Sequence, residues 1–379
     1  MTDSALFVYG PLHHLPLLKA VTGCDFGTET AGLRDYTLVH AVSKDGQRQE
    51  FPLLMPQTGA VARGMLIRPD KAARGRLDAY ARVFGCDAVR MSIGTTSSDV
   101  EGTVYLPHSG LWRAGEPWDL DLWAKRAGDL ATETAREVMT LLGVASPEAI
   151  QQRLRMLEMR AASRLRSKIE PAPATLRRTP DAADVEITAT RTPYTWFFGV
   201  EEADLRFRRF DGSYSPTVTR AGFIMSDAVT VLPYDPVRDV VMLVEQFRFG
   251  PYARGDQNPW SLEPIAGRID PLETPEAAAR RESLEEARLE IDALHVAGRY
   301  YVSPGAVTEH LVSYIGIADL PDTAEGVSGL ESEAEDIRAH VISFKRLMAM
   351  VDSGEVANGP LLISAQWLAL NRDRLRNAA

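Results

Sequence analysis

The chain has few cysteines, few lysines and no long apolar run. Its 379 residues include two cysteines, Cys24 and Cys86, whose spacing is not that of a metal site. A disulfide framework is thereby excluded, and a reducing cytoplasm is the simplest interpretation. No apolar stretch approaches the roughly 20 residues that a membrane-spanning helix needs. Residues 1–7 lack the basic start and apolar core of a signal peptide, so a cytoplasmic protein without membrane contact is expected.

The charge balance disfavours another class of function. The formal net charge is −10, which argues against general nucleic-acid binding. Of the 42 basic residues 36 are arginine, which we interpret as compositional bias rather than a binding signature. The seven histidines show no ligand spacing. With 379 residues and 45% hydrophobic content, the chain is expected to form two domains with ordinary cores.

Changes in composition divide the chain into three parts. Residues 1–145 alternate short apolar segments with glycine-containing turns, which predicts a small β-rich domain. Residues 146–184 begin with helical character and end in a proline-containing linker, so they are predicted to be a connector. Residues 185–379 are predicted to form the second domain.

The connector contains a stripe of apolar residues at helical spacing. The stripe is formed by Leu154, Leu157, Ala161, Leu165 and Ile169. Basic residues, among them Arg160 and Arg164, surround it. We expect these to form a solvated face; contact with a membrane or an acidic partner is the alternative.

The segment from Gly267 to Leu289 is the most informative part of the chain. It reads GRIDPLETPEAAARRESLEEARL. Thr274 followed by Pro275 predicts the N-cap and first residue of a helix, and the alanines that follow are strong helix formers.

Three glutamates on this predicted helix are spaced to share one face. Glu282, Glu285 and Glu286 lie three and four residues apart. Carboxylates gathered at one place repel each other unless a cation neutralises them, and hard oxygen ligands suit Mg²⁺ or Mn²⁺. A bare acidic run is usually only a solvated helix face. The added offsets of Glu273 and Arg281 favour a metal site, of the kind that hydrolyses phosphate esters and anhydrides.

These residues closely resemble the Nudix box. That pattern is a glycine, five residues, a glutamate, seven residues, Arg-Glu, a hydrophobic residue, any residue, Glu-Glu, any residue, a glycine and a hydrophobic residue. The matching residues are Gly267, Glu273, Arg281, Glu282, Glu285, Glu286 and Leu289. Two positions depart from it: Ser283 replaces the usual hydrophobic residue, and Arg288 replaces the last glycine.

The flanking sequences resemble the ADP-ribose pyrophosphatase branch of Nudix hydrolases. WSLEPIAGRID precedes the box and RYYVSPGAVTEH follows it, with Pro304 at the position of the marker proline of that branch. LESEAEDIRAHVI, from Leu330 to Ile342, resembles its catalytic loop. The resemblance covers roughly residues 185–375, about half of the chain.

The resemblance implies roles for particular residues. It makes Glu333 the general base, with Glu285 as a second catalytic residue. The implied metal ligands are the carbonyl of Ala266 and the side chains of Glu282, Glu285, Glu286 and Glu335. The implied substrate contacts are Arg220, Arg248 and Glu309.

The resemblance also implies a fold, a cofactor and an assembly. The expected fold class is α/β (α+β), with a Nudix α/β/α sandwich around a mixed sheet. The expected cofactor is Mg²⁺, with Mn²⁺ possible. The expected reaction is hydrolysis of the diphosphate linkage of a nucleoside diphosphate sugar, most simply ADP-ribose to AMP and ribose 5-phosphate. Members of this branch are generally dimeric, so a homodimer is expected.

The first 145 residues resemble a different fold. Tyr9-Gly10-Pro11-Leu12 is similar to the Tyr-Gly-small-Leu loop of gamma-glutamylcyclotransferase-like (AIG2-like) proteins, which implies a smaller mixed β-barrel domain. The segment that carries the catalytic glutamate of that family usually reads Leu-Asp-x-x-Glu. Here Ala81 stands at the glutamate position, and alanine cannot move a proton. The domain is therefore predicted to lack cyclotransferase activity. The fusion of the two folds resembles bacterial tellurite-resistance-associated proteins.

Several alternatives remain at this point. GDP-mannose or another nucleoside diphosphate sugar is an alternative substrate, because one sequence does not identify the residues that contact the base. A non-enzymatic ligand sensor on a Nudix fold would be marked by loss of box acids, and all of them are present. Gamma-glutamyl-amine cyclotransferase activity in the first domain is the third alternative, and Ala81 argues against it.

Overall fold

The computed structural model describes residues 5–27, 29–108, 110–196, 198–321, 326–328 and 336–378. The chain divides into two compact units, residues 1–172 and residues 173–379. Within the described residues, no helix is both long and apolar enough to cross a membrane.

The first unit is built on a mixed β-sheet with helices packed against it. Its strands are β1 (Leu6–Val8), β2 (Glu29–Val42), β3 (Arg48–Ile67), β4 (Cys86–Thr95), β5 (Asp99–Pro107) and β6 (Arg113–Pro117). Its helices are α1 (Leu15–Thr22), α2 (Lys71–Val83), α3 (Leu120–Trp123), α4 (Asp129–Leu141), α5 (Pro147–Gln151) and α6 (Leu154–Ile169). The 3₁₀ turn Gly10–His13 and the π-helical turn Ala124–Gly128 complete the list.

The sheet of the first unit closes on itself. The strand order is β3-β1-β5-β4-β2-β6, and an additional pairing of β2 with β3 closes a five-stranded barrel. The pairing of β1 with β5 is parallel, so the barrel is mixed. Closure removes the open edges at which unpaired backbone groups would remain. The predicted mixed barrel is confirmed.

The predicted helical stripe of the connector corresponds to α6, but the expectation of a solvated basic face is wrong for two of its residues. Arg160 is 3% exposed. Arg164 forms an ion pair with the buried Glu137 of α4. The basic face therefore packs on acidic residues within the first unit, because buried charges require partners of opposite sign.

The second unit contains eleven strands and four helices among the described residues. The strands are β7 (Val185–Thr195), β8 (Gly199–Phe207), β9 (Val218–Ile224), β10 (Ala228–Asp235), β11 (Val240–Phe247), β12 (Trp260–Glu263), β13 (Ile265–Arg268), β14 (Ala293–Tyr301), β15 (His310–Ile317), β16 (Gly326–Ser328) and β17 (Ile337–Ser343). The helices are α7 (Phe249–Arg254), α8 (Pro275–Ala287), α9 (Phe344–Ser353) and α10 (Gly359–Arg376). A 3₁₀ turn, Ala182–Asp184, precedes β7.

The main sheet of this unit lies between two helical layers. Its strand order is β14-β15-β10-β11-β17-β16, with β12 paired to β11 and β13 paired to β10. Strand β10 is buried throughout, and its side chains alternate between the two faces. Val229 and Val231 pack in the core that contains Ala278 of α8. Leu232 packs in the core that contains Leu361 of α10. The predicted α/β/α sandwich is confirmed.

Strands β7, β8 and β9 form a separate antiparallel sheet. Among the described residues, none from these three strands belongs to the buried core clusters. Large apolar side chains on this sheet are exposed instead, among them Ile187 at 59% and Phe223 at 43%.

Candidate active site at the box helix

Helix α8 begins where its sequence predicts, at Pro275. The hydroxyl oxygen of Thr274 accepts a hydrogen bond from the Ala277 amide at 3.2 Å, which caps the first turn before Pro275. At the other end Arg288 adopts a left-handed conformation with φ 52°. The Arg288 amide donates to the Leu284 carbonyl and the Leu289 amide donates to the Ser283 carbonyl, each at 3.0 Å. The bond from Arg288 to Leu284 is that of an αL helix cap, in which glycine is the preferred residue.

The two departures from the box pattern have different physical consequences. Ser283 is fully buried, and its hydroxyl donates to the Ala279 carbonyl at 2.8 Å. The helix itself therefore satisfies the polar group, so serine is tolerated at an apolar position. Arg288 retains the helix-ending conformation but carries a Cβ in a region of φ that disfavours it.

Arg281 organises the acidic residues of the box. Its guanidinium donates to both carboxylate oxygens of Glu273 at 3.0 Å, to Glu282 at 2.7 Å and to Glu285 at 3.0 Å. It also donates to the Arg268 carbonyl at 3.0 Å. A single planar cation with a fork of donors thus holds three carboxylates together. The spacing of Glu273 and Arg281 in the motif allows this arrangement.

Glu282 and Glu286 both lie against strand β13. A Cβ at Gly267 would stand 1.8 Å from the Glu282 carboxylate carbon, so only glycine permits this approach. The amide of Ala266 donates to Glu286 at 3.3 Å. Two box acids therefore lie beside the backbone at Ala266, whose carbonyl was predicted to be a metal ligand. Burial raises the pKa of Glu282 to about 7, and Arg281 opposes that shift.

The remaining predicted metal ligands are placed differently. The side chain of Glu285 is more exposed than that of Glu282, and both carboxylates form ion pairs with Arg281. Glu333 and Glu335 lie outside the described residues. Among the described parts of the chain, no three His, Cys, Asp or Glu side chains are close enough to form a metal site alone. The complete ligand set therefore stays a prediction.

Two of the predicted substrate residues, Arg248 and Glu309, lie in one electrostatic environment. Burial raises the pKa of Glu309, and the positive charges of Arg268 and then Arg248 oppose this shift. Arg248 itself forms a two-pronged ion pair with the buried Glu263, at 3.0 and 2.7 Å. Glu263 and Arg268 were not singled out from the sequence, although both lie in the flanking segment that carried the resemblance.

Arg220 lies on the three-stranded sheet rather than on the main sheet. It lies exposed on β9, and its guanidinium donates to the neighbouring Thr219 carbonyl at 3.1 Å. Between described residues, no hydrogen bond or ion pair joins Arg220 to the box. Its predicted contact with substrate stays a prediction.

In the first unit, no carboxylate stands at position 81. Ala81 is 5% exposed and packs in the core. A Cβ at Gly10 would lie 2.6 Å from the Pro52 ring, so Pro52 covers the loop. Pro11 has no backbone N–H to donate. Asp78 accepts hydrogen bonds from Tyr105 at 2.5 Å and from Arg74 at 2.9 Å.

Two protein-family models match the chain, one in each unit. The model of the NUDIX domain matches residues 225–362. The model described as gamma-glutamyl cyclotransferase, AIG2-like, matches residues 6–123. A crystal structure titled as an ADP compounds hydrolase aligns with a TM-score of 0.39 and 20% identity, over 50% of this chain and 97% of that one.

Curated relatives resemble the second unit. The ADP-ribose pyrophosphatase of Escherichia coli strain K12 is 40% identical over 194 residues, which cover 51% of this chain and 92% of the relative. The ADP-ribose pyrophosphatase of Haemophilus influenzae is 36% identical, over 52% of this chain and 90% of the relative. A GDP-mannose pyrophosphatase of Enterobacter is 31% identical, over 38% of this chain and 74% of the relative. The chain therefore belongs to the Nudix family of pyrophosphohydrolases and carries a gamma-glutamyl cyclotransferase-like domain before its Nudix domain.

Proposed function

We propose that the second unit hydrolyses the diphosphate linkage of a nucleoside diphosphate sugar, with ADP-ribose as the first candidate. The observation that carries the proposal is the approach of Glu282 to Gly267 and of Glu286 to Ala266. It places two carboxylates of the box helix, which are hard oxygen donors, beside strand β13. ADP-ribose is placed first because relatives at 40% and 36% identity bear that activity in their names. The products would be AMP and ribose 5-phosphate.

The donor set of this site fits a divalent cation, with Mg²⁺ first and Mn²⁺ second. The Ala266 carbonyl and Glu282, Glu285 and Glu286 would hold it, together with Glu335 from the loop. Such an ion, when bound, polarises phosphoryl oxygens and lowers the pKa of water. The buried carboxylate of Glu282 also needs a positive charge in order to stay ionised at neutral pH.

The residues of the chain divide the chemistry among them. Glu333 is proposed to take the proton of the attacking water, and Glu285 to assist it. The water oxygen bonds to one phosphorus, the bond from that phosphorus to the bridging oxygen breaks, and the bridging oxygen leaves with the other phosphoryl group. Arg220 and Arg248 are proposed to contact the phosphates or the nucleobase, and Glu309 to accept a hydrogen bond from a substrate hydroxyl.

A homodimer is part of the proposal. The sheet of β7, β8 and β9 exposes apolar side chains, and its described residues lie outside the core clusters. An uncovered apolar sheet face is a typical association surface. A second copy on this face would also give Arg220, which lies on β9, a route to a neighbouring site. Light scattering with size-exclusion chromatography should give twice the mass of one chain; a monomer at micromolar concentration would contradict the dimer.

The first unit is proposed to lack cyclotransferase activity. The support is the buried Ala81, the Pro52 ring over Gly10 and the absent donor at Pro11. Incubation of the chain with gamma-glutamyl amines should release no 5-oxoproline. Release that Asp78→Asn abolishes would overturn this part of the proposal. A cytoplasmic location and a link to tellurite resistance stay predictions.

One screen tests the substrate assignment. ADP-ribose, GDP-mannose and other nucleoside diphosphate sugars are incubated with the chain and Mg²⁺ or Mn²⁺, and released phosphomonoesters are measured. GDP-mannose is the second candidate because a relative at 31% identity is named for it. Glu286→Gln should remove the activity, whereas Glu290→Gln, an exposed acid just after the helix, should retain it. Activity that survives Glu286→Gln would remove the box from the mechanism.

A further inference from the structure

Arg268 lies beside the proposed substrate site, at the end of strand β13. Ala228 of β10 is paired with Arg268 on one side and with Leu311 of β15 on the other. Two strand spacings of about 4.8 Å separate the Cα atoms of Arg268 and Leu311, a span that a long arginine side chain can cross. Glu309 precedes Leu311 by two residues and is half-buried. The topology therefore places these two residues, 41 positions apart in the sequence, near the same end of β10 and on its two sides.

The backbone of Arg268 is held from the opposite side. Its carbonyl accepts a hydrogen bond from Arg281 of the box helix at 3.0 Å. Its neighbour Gly267 lies against Glu282. Arg268 thus follows Gly267 of the proposed metal site in the chain and lies two strands from the start of β15, which Glu309 precedes.

Three charged groups act on the charge of Glu309, from the ends of three strands. Burial raises the pKa of Glu309; Arg268 is the stronger of two cations that lower it, and Arg248 is the other. Asp227, just before β10, raises it. Burial raises the pKa of Tyr300 on β14, and the charge of Glu309 adds to that rise. Without its cations, a half-buried carboxyl in this position would favour the neutral form.

We propose that Arg268 is a positioning residue that keeps the Glu309 carboxylate ionised and directed toward a hydroxyl group of the sugar part of the substrate. This rests on the proposed function, because it assigns Glu309 to the substrate. An ionised carboxylate accepts hydrogen bonds from sugar hydroxyls more strongly than a neutral carboxyl does. Arg268 acts through Glu309 and not on the reacting phosphorus.

The pH dependence of kcat/KM tests the role, because it reports the ionisation of the free enzyme. In saturating Mg²⁺, Arg268→Met should lower kcat/KM for ADP-ribose by about twofold to tenfold at pH 6, because a pKa shift of about one unit lowers the ionised fraction by at most about tenfold. The loss should disappear near pH 8.5 and should lie in KM rather than kcat. Arg268→Lys, which keeps the charge, should restore most of the activity at pH 6. Arg346→Met, an exposed arginine of α9, is the matched control.

A double substitution separates this role from direct binding. In a Glu309→Gln background, Arg268→Met should leave the pH profile unchanged, because the titrating group is absent. A loss that is equal at every pH and persists in that background would show that Arg268 contacts a substrate phosphate itself. That result would overturn the proposal.

A second readout does not depend on hydrolysis. Carboxyl carbons of ¹³C-labelled glutamate are titrated by NMR, and the Glu309 signal is assigned by its loss in Glu309→Gln. The Glu309 pKa should rise by about one unit in Arg268→Met and stay unchanged in Arg346→Met. An unchanged pKa in Arg268→Met would refute the inference. If no sugar nucleotide is hydrolysed by the wild type, the proposed function fails while this titration still decides the role of Arg268.

Discussion

Replacement of Gly267 by alanine should damage the active site without unfolding the protein. The added Cβ would lie 1.8 Å from the Glu282 carboxylate carbon and 1.9 Å from one of its oxygens. The shortest ordinary contact is 3.4 Å, so the carboxylate must withdraw by about 1.6 Å. Displacement of a catalytic group by about 1 Å can cost about 10²-fold in rate. We expect Gly267→Ala to lower kcat by that factor and to weaken Mg²⁺ binding.

The stability of this variant should change little, because the clashing atoms are the end of a flexible side chain. Alanine also restricts the unfolded chain, which contributes about 0.4–1 kcal/mol of stability and offsets part of the strain. Steady-state hydrolysis of ADP-ribose over a Mg²⁺ titration measures the first effect, and thermal unfolding measures the second. Gly359→Ala, where a Cβ meets nothing within 4 Å, is the control. Wild-type kcat and Mg²⁺ dependence in Gly267→Ala would refute the placement of Glu282.

Three further predictions concern other parts of the chain. Glu286→Gln should reduce kcat by about 10²-fold or more while the fold persists, and near wild-type turnover in saturating Mg²⁺ would refute its role. Arg288→Gly should raise the free energy of unfolding by about 1 kcal/mol in denaturant titrations, since glycine suits the left-handed helix end; a decrease would contradict the strain. Burial raises the pKa of Glu158 to about 7 from 4.5, although Arg155 opposes it. The stability from Glu158 is fully present below pH 4.5 and is lost as the pH rises through 7. The melting temperature of Glu158→Gln minus that of the wild type should therefore increase between pH 4.5 and 8, and a constant difference would exclude the shift.

The box itself was predictable from the sequence because helix geometry is local. Offsets of three and four residues determine which side chains share a face, so Glu282, Glu285 and Glu286 could be grouped without a structure. The ion pair of Arg281 with Glu285, four residues later, is a further consequence of this helical spacing.

Contacts between distant strands were not predictable in the same way. Arg268 lies two strands from the start of β15, which Glu309 precedes, only because β13 and β15 both pair with β10, on opposite sides. The pairing of Arg248 with Glu263 likewise depends on the placement of β12 beside β11. Such neighbours depend on strand order, and strand order is determined by the packing of the whole sheet rather than by a local pattern.

The basic face of α6 shows a different limit. Its period predicted a helix correctly, but the charge pattern alone suggested a solvated surface. Arg164 instead meets the buried Glu137 of α4. A run of charges has the same appearance in the sequence whether water or an acidic helix covers it, because periodicity carries no information about the partner.

The central claim is that the Nudix unit of this chain cleaves the diphosphate linkage of a nucleoside diphosphate sugar with its box carboxylates. The most direct test follows ADP-ribose by ³¹P NMR with the full chain and Mg²⁺, beside Glu286→Gln. We predict equal amounts of AMP and ribose 5-phosphate from the wild type. The rate of the variant should be lower by about 10²-fold or more. Equal rates from the two proteins, or no cleavage of any sugar nucleotide by the folded wild type, would contradict the claim.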